Sequence, residues 1–260
     1  MGIVDLSNFL SEVGRVVIVM SGKGGVGKSI IASSLAIGLA LKGRSVAILD
    51  ADIHGPSVPW IMGVENGYMT VDSDGFINPI EIENIAVISI ELLLTNKDVP
   101  LIWRGPLKTR AILEILSRTR VGKRDYLIID MPPGTGDEPL TIVQHLKNKI
   151  MGAVLVTVPG ELVKHVVTKA EIFLKELGVP LLGIVVNMSY FKCPTCNTIH
   201  RLFGATSIMN ENIIAEIPID PLLAQMVSSG KLIDYLKGSS STAKSLLRIA
   251  DSVANMEAQK

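Results

Sequence analysis

The chain has 260 residues and is neutral overall, with 25 basic and 25 acidic side chains. That balance excludes a general electrostatic attraction to nucleic acid or anionic lipid. Two cysteines exclude a disulfide scaffold, and no uncharged stretch reaches the ~18 apolar residues of a membrane-spanning helix. Hydrophobic residues make up 48% of the chain but aromatics only 4%, so the core is aliphatic. Such a composition suits strands covered on both faces by helices. The first residues, Met1–Gly14, lack the basic region of a secretory signal. The expectation is a cytoplasmic protein with no nucleic-acid or membrane partner.

In chain order, Arg15–Met20 reads as a strand, followed by a Gly-rich turn and a helix at Ser29–Lys42 that Gly43 stops. Ser45–Leu49 is a second strand, ending in Asp50. Pro56–Glu83 is rich in Gly, Pro, Asp and Asn and reads as an irregular insertion. Ile85–Ile90 is a strand, Pro106–Ser117 a helix, and Tyr126–Ile129 a strand ending in Asp130. A helix at Asp137–Leu146, a strand at Ala153–Val158 and a helix at Glu161–Leu177 follow. Leu181–Val186 is a strand ending in Asn187. Ser189–Asn212 is irregular and holds both cysteines. Ile213–Ile217 reads as a strand, and Leu222–Val227 and Ala243–Ala254 as helices. Long irregular insertions in a compact domain are usually functional or mobile. The alternation predicts an α/β fold with three α/β/α layers and a mostly parallel central sheet. It is expected to form one domain over 1–260, with a phosphate-loop unit at 15–50 and a cysteine-bearing loop at 189–212.

Gly22-Lys23-Gly24-Gly25-Val26-Gly27-Lys28-Ser29 matches the phosphate-loop pattern and lies between a predicted strand and a predicted helix. Glycines let backbone N–H groups close around phosphate oxygens, and the helix N-terminus adds positive partial charge. Lys28 is placed to reach the β- and γ-phosphates of ATP, and the Ser29 hydroxyl to ligate Mg²⁺. Lys23 is either an exposed charge or a cation that reaches a neighbouring subunit's phosphates, as an arginine finger does.

Acidic residues follow at strand ends, where ligands of parallel sheets sit. Of Asp50 and Asp52, one could orient the attacking water and the other hold Mg²⁺ through water or stabilise the loop. Asp130 ends a hydrophobic strand, as a Walker-B aspartate does, and the Gly- and Pro-rich loop behind it could sense the γ-phosphate, with Asp137 as a helix N-cap. Asn187 suits either the edge of adenine or a turn. Cys193-Pro-Thr-Cys196 offers two thiolates, which do not complete a four-ligand site. Two copies across a twofold axis supply four, enough for a [4Fe–4S] cluster or Zn²⁺. A redox dithiol and an inert loop pair are the other possibilities.

The phosphate loop resembles the deviant Walker A motif of the MinD, ParA, ArsA and nitrogenase-iron-protein group. Within that group the chain resembles the Mrp/ApbC-type iron–sulfur cluster carriers. The resemblance is carried by Asp50–Ser57, Trp103–Pro106, Asp125–Asp137, and Val186–Tyr190 followed by Cys193–Cys196. It implies a slow, switch-like ATPase working as a homodimer, with apo iron–sulfur proteins as recipients. It implies that Lys23 acts in trans and that Lys28 and Asp52 are catalytic, Asp52 positioning the water. It implies that Asp50 and Asp130 support Mg²⁺ through water and that Asn187 binds adenine. Cys193 and Cys196 share a [4Fe–4S] cluster with the second subunit, Zn²⁺ being possible in its place. A MinD- or ParA-like positioning ATPase and an ArsA-like client-handling ATPase are the alternatives.

Overall fold

The computed structural model describes residues 4–53, 55–94, 105–160, 163–204 and 212–257. A short helix, α1 (Ser7–Glu12), leads into β1 (Val13–Ser21), which is buried from Val16 to its end. Helix α2 (Lys28–Leu41) carries the buried run Ile31–Leu39 across the sheet, and β2 (Val46–Asp50) is buried throughout. Burial on both faces is why these strands read as continuous aliphatic runs rather than alternating ones.

The stretch expected to be an irregular insertion holds regular structure. It contains α3 (Val58–Met62), β3 (Thr70–Val71), β4 (Ile77–Asn78) and β5 (Ile80–Ile82), before β6 (Ile85–Ser89). Elements of two to five residues are too short to show a period, which is why the sequence pattern missed them. There follow α4 (Gly105–Arg118), β7 (Arg124–Asp130), α5 (Asp137–Leu146), β8 (Ile150–Thr157), α6 (Val163–Leu177) and β9 (Leu181–Val186). The cysteine loop opens with a small antiparallel hairpin, β10 (Phe191–Lys192) and β11 (Ile199–His200). The chain closes with β12 (Ile213–Glu216), α7 (Pro221–Ser228), α8 (Leu232–Lys237) and α9 (Ser241–Glu257). Helices α1 and α8, six residues each, were not expected from the sequence.

The main sheet runs β12-β9-β8-β1-β7-β2-β6-β5. All its pairings are parallel except β5 with β6. The chain leaves β1 for β2, later fills the gap between them with β7, and then builds outward on the other side with β8. The switch point therefore lies beside β1, and ligands of such sheets bind at the carboxyl ends of the strands there. Register aligns Val19 of β1 with Asp130, and Asp130 with Asp50 of β2. Two predicted site carboxylates thus become lateral neighbours at that end. At the opposite end, Glu257 of α9 binds Arg15 at 2.7 Å and accepts a hydrogen bond from the Tyr126 hydroxyl, pinning the last helix to β1 and β7.

Candidate functional site

The chain leaves β1 at Ser21 and enters α2 at Lys28, so Gly22–Gly27 forms the connecting loop. Gly25 and Gly27 have φ of +76° and +82°. A Cβ on Gly27 would lie 2.3 Å from Asn187 Nδ2, whereas one on Gly24 or Gly25 would meet nothing within 4 Å. Gly27 is therefore required by backbone conformation and by close approach, and Gly24 and Gly25 border open space. Gly27→Ala is expected to cost about 1–2 kcal/mol from the left-handed backbone alone and to displace Asn187. Urea unfolding and ATP titration of this variant should both be impaired; wild-type values for both would contradict this account of the loop.

The open space is a cavity of about 450 Å³, with Gly24, Gly25, Lys28, Ser29 and Asp52 on its walls. Trp60 and Ile61 of α3 and Val227 and Ser228 of α7 are among its other lining residues. Under the loop, Lys28 Nζ binds Asp130 Oδ1 at 2.5 Å, with side chains 7% and 0% exposed. The other carboxylate oxygen of Asp130 is buried without a partner. Burial raises the pKa of Asp130, against the Lys28 ammonium and the Ser29 hydroxyl, which favour its charged form.

Asp50 lies beside it. Its Oδ2 accepts from the Ser57 and Val58 amides at 2.9 and 3.0 Å, and its Oδ1 from the Asp52 amide at 3.1 Å. In this structure Asp50 holds the start of α3 in place. Burial, with the Asp130 carboxylate next to it, pushes Asp50 up to about 8 despite those amides. The sign of the linkage follows. A carboxyl with a raised folded pKa contributes stability below its unfolded value of about 4, and that contribution is lost as pH rises through the folded value. Nucleotide-free protein should therefore lose stability between about pH 4 and about 8. Asp50→Asn should flatten that decline in urea titrations; an unchanged slope would remove Asp50 as its source.

The other expected residues fall as follows. Lys23 is exposed, and its carbonyl accepts from the Ser21 hydroxyl at 2.9 Å. Asp52 is half-buried at the cavity and accepts from the Gly55 amide at 3.4 Å. Asn187 donates from Nδ2 to the Val26 carbonyl at 2.9 Å, so its amide nitrogen braces the phosphate loop. Asp137 is the first helical residue of α5 and Gly136 the cap, which corrects the expected N-cap; Asp137 and Glu138 instead favour the helix dipole. Trp103 and Arg104 lie outside the described residues, as do Glu161 and His54.

The cysteines sit at the tip of the β10–β11 hairpin. The Cys193 amide donates to Thr198 O at 3.0 Å, and the Asn197 amide to Cys193 O at 2.9 Å, with Asn197 at φ +60°. Cys196 is exposed and its thiol donates to Thr198 Oγ1 at 3.2 Å. The side chain and backbone of Thr198, with Cys193, hold Cys196 below the ordinary thiol range. Among the described residues, no group of three or more His, Cys, Asp or Glu side chains is arranged to hold a metal.

The helix expected at Leu222–Val227 is α7, but its position between the hairpin and the cavity was not legible in the sequence. Ile219 N donates to Tyr190 O at 2.7 Å, tying the base of the hairpin to the segment before α7. Asp220 caps α7 through the Leu222 and Leu223 amides and accepts from the Tyr235 hydroxyl at 2.6 Å. The far end of α7 lines the cavity through Val227 and Ser228. One two-turn helix thus spans from the hairpin base to the phosphate loop. Asp220-Pro221, a cap residue before a proline, was the available signal.

Residues 12–254 match the model of a family described as ParA, NUBPL iron-transfer P-loop NTPase. An iron-sulfur cluster carrier protein of Saccharolobus solfataricus is 43% identical over 242 residues, covering 90% of this chain and 81% of that protein. A cytosolic Fe-S cluster assembly factor Nubp2 homolog of Drosophila melanogaster is 39% identical over 258 residues, covering 95% and 98%. A nucleotide-binding protein of Archaeoglobus fulgidus, solved in complex with ADP, superposes with a TM-score of 0.78 at 38% identity, covering 92% of this chain and 94% of that one. The cell division ATPase MinD of Pyrococcus furiosus shares the fold, with a TM-score of 0.67 at 23% identity over 94% and 99%. With a phosphate loop at the switch point of a parallel sheet, the chain belongs to the ParA/NUBPL family of iron-transfer P-loop NTPases.

Proposed function

We propose that the chain is an ATP-hydrolysing homodimeric carrier that takes up an iron–sulfur cluster on Cys193 and Cys196 and passes it to apo iron–sulfur proteins. What carries this is a pairing within one chain: a complete phosphate loop, and half of a four-thiolate site tied to it through α7. The names of the relatives from Saccharolobus and Drosophila support the cargo, and the ADP complex of the Archaeoglobus protein supports the nucleotide.

ATP enters at Gly24 and Gly25, where no side chain fills the space. Lys28 then exchanges Asp130 for the phosphates. The residues fit Mg²⁺: Asp130 has an unpartnered buried oxygen, and the Ser29 hydroxyl is beside it. When bound, Mg²⁺ neutralises charge developing on the phosphates. Asp52, at the cavity wall, orients the water that attacks the γ-phosphate, giving ADP and phosphate. Lys23, exposed and outside the cavity lining, acts on the nucleotide of the second subunit. Asp52→Asn should slow hydrolysis by about 10²-fold or more while keeping ATP affinity. Lys23→Ala should slow hydrolysis without abolishing binding. Unchanged turnover in either would remove that residue from the mechanism.

Helix α9 is not free to serve as the membrane-docking amphipathic helix of a positioning ATPase. Its apolar side chains, including Leu246, Ile249 and Val253, are buried in the core, and Glu257 is pinned at its end. The test of the carrier function is anaerobic reconstitution with iron and sulfide, followed by metal analysis. A chromophore near ~400 nm with iron and sulfide bound is expected. Protein that takes up Zn²⁺ and no iron would contradict it.

A further inference from the structure

Ser57 stands at the N-cap of α3, where a serine ordinarily caps, yet its hydroxyl makes no capping bond. A capping side chain accepts from the second or third helical amide. The second helical residue here is Pro59, which has no N–H to offer. The amides at the start of the helix turn onto Asp50 instead: Ser57 N at 2.9 Å and Val58 N at 3.0 Å both donate to its Oδ2. The Ser57 hydroxyl is left with no hydrogen-bond partner among the described residues. Ser57 is half-buried and lines the phosphate cavity, as Asp52 does. Asp50 fixes the spacing of these two residues, because its other oxygen, Oδ1, accepts from the Asp52 amide at 3.1 Å.

We propose that the Ser57 hydroxyl donates a hydrogen bond to the terminal phosphate of ATP and so distinguishes ATP from ADP. This deepens the ATP hydrolysis proposed above and rests on it. An ionised carboxylate such as Asp52 accepts hydrogen bonds and repels a phosphate, whereas a hydroxyl donates. An anion entering beside Asp52 therefore needs a donor on that wall, and the backbone supplies none that is free. The Asp52 and Ser57 amides are taken by Asp50, the Gly55 amide by Asp52 at 3.4 Å, and Pro56 has no N–H. Among the residues of this segment that line the cavity, the side-chain donors left are the Ser57 hydroxyl and, three residues on, the Trp60 indole. Ser57 is the one whose backbone shares the Asp50 clamp with Asp52. Asp52 then orients the water while Ser57 holds an oxygen of the phosphoryl group under attack. A hydrogen bond to a charged oxygen is stronger than one between neutral groups. ADP lacks the phosphoryl group that Ser57 would contact, so the hydroxyl favours ATP alone.

The test is calorimetric titration of the full chain, in the presence of Mg²⁺, with ADP and with the non-hydrolysable β,γ-imido analogue of ATP. The proteins are wild type, Ser57→Ala, Ser57→Thr and Trp60→Phe. Ser57→Ala should bind the analogue about 10-fold or more weakly and bind ADP as wild type does. Ser57→Thr keeps the hydroxyl and should keep the affinity for the analogue. Because Asp50 holds the start of α3, Ser57→Ala should also leave the urea midpoint unchanged, whereas loss of a working cap lowers it. Trp60→Phe deletes the other donor and should shift the ratio of the two affinities less than Ser57→Ala does. If wild type binds neither nucleotide, the ATPase function itself fails. If wild type binds both and Ser57→Ala keeps the wild-type ratio, only the Ser57 contact is overturned. It is equally overturned if Ser57→Ala weakens both nucleotides alike and lowers the urea midpoint, which would make the serine structural. A larger shift in Trp60→Phe than in Ser57→Ala would give the contact to the indole and overturn it as well.

Discussion

Lys28→Ala is expected to abolish ATP binding and also to destabilise nucleotide-free protein by about 3–5 kcal/mol. The second effect is not part of the usual account of a phosphate-loop lysine. It arises because Lys28 pairs with Asp130 at 2.5 Å where neither side chain is appreciably exposed. Removing the ammonium leaves a buried carboxylate with one oxygen already unpartnered and the Asp50 carboxyl group alongside. Asp130 can relieve this by taking up a proton, since burial already raises its pKa. The destabilisation should therefore shrink as pH falls. Replacing both partners, Lys28→Met with Asp130→Leu, is expected to recover most of the stability and none of the nucleotide binding. Urea titrations at several pH values and ATP calorimetry on the three proteins separate the two effects. A Lys28→Ala protein as stable as wild type would mean that the buried pair is not what holds the loop down.

The second large effect concerns the thiols. Cys193→Ala with Cys196→Ala should reduce iron after anaerobic reconstitution to background, because the described residues offer no other cluster of metal-binding side chains. The hairpin is tied to the sheet through backbone bonds at Tyr190 and Ile219, not through the cysteines, so it should persist in the variant. ATP affinity should then stay within about twofold of wild type, as for separated sites. Cluster uptake at the wild-type level would mean that the ligands lie elsewhere. A loss of ATP affinity would mean that the hairpin and the phosphate loop are coupled more tightly than α7 requires.

The parts of the fold legible in the sequence were those where one physical cause dominates. Both-face burial gave β1, β2, β7 and β9 as continuous aliphatic runs, and Asp137–Leu146 and Leu181–Val186 were placed at their observed ends. The phosphate loop was legible because each glycine and Lys28 answers a separate demand. What escaped was tertiary. Nothing local predicts that Asp50 and Asp130 become lateral neighbours, because that depends on β7 inserting between β1 and β2. For Asp50, sequence does not show that the Ser57 and Val58 amides at the start of α3 turn onto its carboxyl. For Asn187, a position at a strand end does not reveal that Val26 O is within reach of its amide. The 56–83 stretch hid α3 and three short strands because each is shorter than the period that would disclose it.

A pair with one exposed thiol, Cys196, and one half-buried, Cys193, would suit delivery as well as uptake under the proposed function. Cys196 is accessible and held below the ordinary thiol range, which favours its thiolate, the form that metals bind. The phosphate cavity and the hairpin base share α7, so a change in the wall at Val227 and Ser228 has a short mechanical route to Ile219 and Tyr190.

The most direct measurement is calorimetric titration of MgATP into purified, nucleotide-free protein whose cooperative urea transition shows it to be folded. One saturable ATP site per chain is predicted, lost in Lys28→Met/Asp130→Leu although that protein still folds. Folded wild-type protein that takes up no MgATP would contradict the account at its root.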